Sequence, residues 1–271
     1  MSARSAVALA ATLHDPHGAD LPALRAALPG LATRYAGMAI FATAETPEYV
    51  TAPLVAVGAS VTRHPSDLGE IGWRRLGAAR EAATMADAVH LCDFDRLLHW
   101  WHHWQAELET IIARVATVDL LILGRTERAW ATHPANQLET EGLANRVVSH
   151  FFGEAVDICS GSRGLSRRAA EWLALHGREH SVGTDAEWPL LLRRAAGFTW
   201  AQDLTEGLEF ETGDRHPQEV ARAGGLAAWN ATLDRDAARW TFRTRLAGDI
   251  VAAALRTAGE AGARASGGQD R

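Results

Sequence analysis

Two carboxylates one residue apart, Asp93 and Asp95, follow the apolar run Ala88-Val89-His90-Leu91-Cys92. Such a run reads as a β-strand, and ligands of parallel α/β sheets bind at the carboxyl ends of strands. Paired hard oxygen ligands at that edge suit Mg²⁺ or Mn²⁺, which bridge protein carboxylates to substrate phosphates. A solvated Asp-x-Asp turn is the plain alternative. Further along, Asp185 and Glu187 open an apolar stretch that closes on Arg193-Arg194 and Gly197. In His-Trp-Trp-His-His-Trp (99–104), His99, His102 and His103 share a helix face. No Cys or carboxylate pattern elsewhere completes a zinc site. Packing is the expected role of this segment, with an aromatic wall for a ligand ring as the functional alternative.

Composition removes whole classes of chemistry. All 27 basic residues are Arg and none is Lys. That excludes a Walker-type P-loop, a protein kinase, and any enzyme with a lysine Schiff base. Phosphate binding survives, because a guanidinium holds phosphate bidentately. The formal charge of −6 argues against nonspecific binding to nucleic acid or anionic membranes. Two distant cysteines, Cys92 and Cys159, indicate buried thiols in a reducing, cytoplasmic setting rather than a disulfide framework. No apolar run approaches the length of a transmembrane helix. The stretch 5–13 weakly resembles a signal peptide and reads better as a first strand.

The elements that must position these residues alternate between strand-like and helix-like segments. This is the signature of an α/β domain with a mostly parallel sheet. Strands are expected over 7–13, 38–42, 54–61, 88–92, 118–124 and 155–160. Helices are expected over 21–28 (ended by Pro29-Gly30), 69–86, 105–116, 138–152, 165–176 and 187–196. Residues 198–211 read as extended, and 218–259 as helical with a break at Gly224-Gly225. One domain over 1–215, a helical extension over 216–261 packed on it, and a disordered polar tail over 262–271 is the simplest organisation.

Three pieces in order carry a family resemblance. The first is Gly69-Glu70-Ile71-Gly72-Trp73-Arg74-Arg75, a Gly-rich helix start bearing arginines. The second is Asp93-Phe94-Asp95. The third runs from 158 to 197, with a small-residue loop at 161–164, the pair Arg167-Arg168, the acidic Asp185 and a closing Arg-Arg helix. This order resembles nucleotide-sugar glycosyltransferases of the GT-A fold, especially the family-2 type. The resemblance covers residues 5–215. It implies a three-layer sandwich with a central, mostly parallel sheet, and transfer of a sugar from a nucleotide-diphosphate donor to a hydroxyl acceptor. The chain departs from the pattern at Thr184, where the family usually has Glu, and it lacks the Gln-x-x-Arg-Trp motif of processive synthases.

By that resemblance Asp93 lies near the nucleotide and Asp95 ligates the Mn²⁺ or Mg²⁺ on the diphosphate. Asp15, after the first strand, contacts the nucleobase, and Arg74 and Arg75 contact phosphate. Asp185 takes the place of the catalytic base, with Glu187 as substitute. Asp214 or His216 supplies a further metal ligand. Helix capping accounts for Asp15 equally well and can accompany the base role of Asp185; a solvated helix face is the alternative for the arginines, and a surface turn for 214–216. A haloacid-dehalogenase-like phosphatase is excluded by the position of Asp-x-Asp and the absence of Lys. A non-catalytic GT-A-like module binding nucleotide sugar or a partner protein remains the alternative.

Overall fold

The computed structural model describes residues 6–65 and 67–266. Seven strands form one sheet: β1 (Val7–Leu13), β2 (Met38–Thr43), β3 (Ser60–His64), β4 (Ala88–Asp93), β5 (Leu120–Arg125), β6 (Ser162–Ser166) and β7 (Trp200–Thr205). Their order is β3-β2-β1-β4-β6-β5-β7. All pairings are parallel except those of β6, which runs antiparallel to both β4 and β5.

Between the strands run α1 (Leu21–Arg34), α2 (Glu48–Ala56), α3 (Ile71–Ala83), α4 (Phe94–His103), α5 (Gln105–Val115), α6 (Glu127–Ala131), α7 (Ala135–Phe152), α8 (Arg167–His176) and α9 (Thr184–Arg194). After β7 come α10 (Pro217–Ala223), α11 (Leu226–Leu233) and α12 (Ala237–Ser266). The alternation of the pleat sorts side chains into two cores. Ala8 and Ala10 of β1 join residues of α3, α7, α8, α9 and α12 on one face. Val7, Leu9, Ala11 and Leu13 join α1, α2, α4 and α5 on the other. This is the three-layer α/β arrangement expected from the sequence, with a mostly parallel sheet and helices at the C-terminal end.

Several local expectations are corrected. The run 54–61 is not one strand: Val50 and Leu54 bury at helical spacing in α2, while Val55 and Val57 are exposed, and pairing starts at Ser60. Helix α1 continues through Pro29 to Arg34, because Leu24, Ala27, Leu28 and Leu31 form one buried stripe that outweighs the missing N–H. The segment 155–160 does not pair as a strand. Its backbone binds side chains instead, Ile158 N–H donating to Asn145 and Asp157 N–H to Gln202. Pairing begins only past Gly161. Helix α12 extends to Ser266, into the stretch expected to be a disordered tail; 267–271 lie outside the described residues, as do 1–5. Val7–Leu13 is a central strand, buried along nearly its whole length. Among the described residues no helix is long and apolar enough to cross a membrane.

Candidate functional site

In the sheet order, β1 is flanked by β2 on one side and β4 on the other, so successive connections leave it in opposite directions. The crevice beyond the carboxyl ends of strands at such a reversal is where open α/β sheets bind ligands. Here it is a cleft of about 280 Å³ lined by Thr12, Leu13 and His14 at the end of β1, Thr43 at the end of β2 and Asp93 at the end of β4. Ile71, Arg74 and Arg75 of α3, Asp95 of α4, and Arg215 complete it.

Asp93 stands where β4 gives way to α4, level with Thr12 across the parallel pair. Thr12 Oγ1 donates to Asp93 Oδ1 at 2.7 Å, and Arg75 Nη2 to Asp93 Oδ2 at 2.9 Å. Burial alone would raise the Asp93 pKa; the charges of Arg75 and Arg96 and these hydrogen bonds outweigh it and hold the carboxyl below its usual range. Gly161, at φ +72°, lies against the same carboxylate: a Cβ there would meet Asp93 Oδ2 at 2.6 Å. Its carbonyl accepts the Asp93 N–H at 3.1 Å.

Arg75 is buried between two acids. Its Nη1 donates to Asp185 Oδ1 at 2.9 Å, and Arg163 Nη2 donates to the same oxygen. Burial opposes the Arg75 charge, but Asp185 and Asp93 more than offset it and keep the guanidinium protonated. Asp185 is therefore an anchor below the cleft rather than part of its lining. Glu187 lies elsewhere, accepting the backbone N–H groups of Arg178 and Glu179 at 2.9 and 3.1 Å; burial raises its pKa.

Asp95 reaches the cleft from the first turn of α4. Its Oδ1 accepts the Arg96 N–H at 2.9 Å, and its Oδ2 lies 3.4 Å from Arg215 Nη2, with 31% of the side chain exposed. Arg215 is clamped on Asp20, Nε to Oδ1 at 2.7 Å and Nη2 to Oδ2. Arg74 Nη1 donates to the carbonyl of Pro65 at 2.6 Å.

The structure thus brings Arg74, Arg75, Asp93 and Asp95 together. It sets Asp185 directly beneath them. Asp15 is buried, and its two oxygens accept the N–H groups of Ala19 and Asp20, which closes the turn into α1. His216 turns to Glu219, Nδ1 to Oε1 at 3.2 Å, and stacks on Trp229 outside the cleft lining. Thr12, His14, Thr43, Arg163 and Arg215 were not singled out from the sequence. Arg215 carried a signal, an arginine inside the polar 209–216 segment after the last strand-like run; the threonines carried none.

No protein-family model matches the chain, and a search of curated proteins finds no match. Solved structures do resemble it. A mycobacterial protein shares 16% identity at a TM-score of 0.48, over 73% of this chain and 64% of that one. Glucosyl-3-phosphoglycerate synthase from Mycobacterium tuberculosis, in complex with Mn²⁺, UDP and phosphoglyceric acid, shares 17% identity at a TM-score of 0.46, over 73% and 68%. The same enzyme with Mn²⁺, UDP-glucose and glycerol 3-phosphate gives 18% identity and a TM-score of 0.43. This chain spans just under two thirds of the first of these proteins. At such identities none of their ligands transfers to this chain by sequence.

Proposed function

We propose that this chain is a glycosyltransferase of GT-A type that takes a nucleotide-diphosphate sugar as donor and a hydroxyl compound as acceptor. The observation that carries this reading is the charge layout of the switch-point cleft. Three guanidinium groups, of Arg74, Arg75 and Arg215, line it together with two partly exposed carboxylates, Asp93 and Asp95. Cationic groups of this kind match a diphosphate, and carboxylates among them suit a cation that joins them to the phosphates.

The acids present fit a magnesium or manganese ion held through Asp95. Asp93 is held by two side-chain donors, Thr12 and Arg75, whereas Asp95 has its own helix N–H and a longer contact to Arg215, so Asp95 would be the freer of the two acids to ligate the ion. When bound, the cation supplies charge neutralisation of the leaving diphosphate. The chain's own residues do the rest. Arg74 in the cleft lining binds phosphate. Asp93, fixed by Thr12 and Arg75, orients the nucleotide side of the donor. Asp185 acts through Arg75 as a positioning residue, and its two guanidinium partners leave it poorly placed as a proton acceptor. Arg215 holds the far wall of the cleft on Asp20.

One observation favours the alternative of a non-catalytic nucleotide-sugar-binding module: of the two acids expected as base, Asp185 has one oxygen taken by two guanidinium groups and Glu187 has both oxygens on backbone N–H groups. Turnover separates the readings. Purified chain with UDP-glucose and other nucleotide sugars, with Mn²⁺, releases nucleoside diphosphate if it is a transferase, because such enzymes hydrolyse their donor slowly without acceptor. Tight donor binding with no release under any metal points to the binding module. Failure to bind any nucleotide sugar sinks both.

A further inference from the structure

His99 lies one helical turn beyond Asp95 on α4 and is 7% exposed. Its Nε2 is 3.2 Å from Glu209 Oε1, and its Nδ1 is 2.7 Å from Asp214 Oδ2. Glu209 is itself fixed: the Trp104 indole N–H donates to Oε1 at 2.8 Å and Arg128 Nη1 to Oε2 at 2.6 Å. A carboxylate held against one ring nitrogen takes its N–H and turns the lone pair of the other nitrogen outward, which is how metal-ligating histidines are oriented. Nδ1 in turn faces a carboxylate oxygen at hydrogen-bond distance, so either a ring proton or a metal cation lies between them. His103, the next turn along the helix, stacks on His99 with ring centroids 4.5 Å apart. One ligand atom each from His99, His103 and Asp214 falls within 4.8 Å of the others.

We propose that His99, His103 and Asp214 form a site for a divalent transition metal of the zinc class, with Glu209 as the outer carboxylate that orients His99. The sequence showed the histidines without a partner element; the turn at 212–215 brings the missing carboxylate. Two imidazoles and one carboxylate are borderline ligands that suit Zn²⁺, Co²⁺ or Ni²⁺ and disfavour Mg²⁺. His103 and Asp214 are exposed, so a fourth position is open to water. The site shares no ligand with Asp95. Its occupant would pin the 212–215 turn to α4, and that turn carries Arg215 into the cleft.

The test uses untagged full-length chain stripped with EDTA and titrated with Co²⁺, whose visible absorption reports nitrogen and carboxylate ligation. One equivalent should bind, be displaced by Zn²⁺, and raise the melting temperature through its affinity for the folded state. His103→Gln and Asp214→Asn, both at exposed positions, should abolish the absorption while leaving circular dichroism unchanged. Glu209→Gln should weaken binding by roughly 10–100-fold, as loss of an outer-shell partner does. Asp95→Asn should leave Co²⁺ binding as it was, which separates this site from a cation in the cleft. No saturable Co²⁺ binding, or absorption that survives His103→Gln, overturns the proposal and assigns the gap between His99 and Asp214 to a proton.

Discussion

Arg75 Nη2 lies 2.9 Å from Asp93 Oδ2, and the contact commits one oxygen of a carboxylate whose other oxygen already accepts from Thr12. The two acids of Asp93-Phe94-Asp95 are therefore not equivalent. Asp93 is held by the side chains of Thr12 and Arg75, Asp95 only by its own helix N–H at 2.9 Å and a longer contact of 3.4 Å to Arg215.

That inequality has a direct readout. Nucleoside diphosphate should bind more tightly with Mn²⁺ than with EDTA, and Asp95→Asn should erase the difference. Calorimetry on both variants checks it. A gain from Mn²⁺ that persists in Asp95→Asn and vanishes in Asp93→Asn would reverse the assignment.

Arg74 and Arg75 should also differ. Arg74→Ala removes a cleft-lining guanidinium bonded to a backbone carbonyl and should cost about 1.5–3 kcal/mol of diphosphate affinity, the usual worth of a hydrogen bond to a charged group, with little effect on nucleoside. Arg75→Ala should instead lower the melting temperature, because the buried Asp185 and the partly exposed Asp93 lose their counter-charge. Equal behaviour of the two variants in both assays contradicts the division of roles.

Asp185→Asn keeps the size of the side chain and removes its charge. Arg75 and Arg163, with side chains 7% and 5% exposed, would then share an uncompensated burial of charge. Breaking a buried ion pair from one side costs about 3–5 kcal/mol. Urea denaturation should show a loss of that order. An Asp185→Asn chain as stable as the parent but unable to transfer sugar would restore Asp185 as the base.

Gly161→Ala places a methyl group 2.6 Å from Asp93 Oδ2 at a φ of +72°. Both the contact and the left-handed backbone disfavour it. Nucleotide affinity and melting temperature should fall together, while Gly58→Ala, at φ +85° with open space around it, should lower only stability.

Acid sensitivity should trace to His90. It is wholly buried, Nδ1 against the Tyr35 hydroxyl at 2.7 Å and Nε2 against Ser162 Oγ at 3.0 Å, and burial pushes its pKa down to about 3. The unfolded chain takes up this proton near pH 6.5 and the folded chain does not, so stability falls as pH drops from about 6.5 toward about 3. The slope from one such group is about 1.4 kcal/mol per pH unit. His133, also depressed by burial, adds to it. Denaturation between pH 4 and 7 should show His90→Gln losing one proton's worth of slope; an unaltered slope means His90 is protonated in the fold.

The sequence carried the architecture well where periodicity was clean. Strand β4 and its acidic end, the arginine-bearing α3 and the C-terminal helices stand close to where the residue pattern puts them. It failed where burial was decided by partners far along the chain. Ser162-Arg163-Gly164-Leu165-Ser166 is too polar to read as a strand, yet it is buried because Ser162 and Arg163 find Leu91 and Asp185. Its reversed direction also moves Arg167 and Arg168 to the opposite edge of the sheet, where they pair with Asp87 and Asp119 instead of approaching the acidic pair. Asp185 looked like a free acid because nothing local announces that Arg75 lies 110 positions away and 2.9 Å distant.

The clamp of Arg215 on Asp20 joins residues 195 positions apart. During synthesis the last strand, β7, is complete at Thr205, so the whole sheet can form on the ribosome while one wall of the cleft is still missing. The far wall of the cleft thus arrives after the sheet, when the trailing segment folds back on the turn into α1, and before α12, still to come, closes one of the two cores.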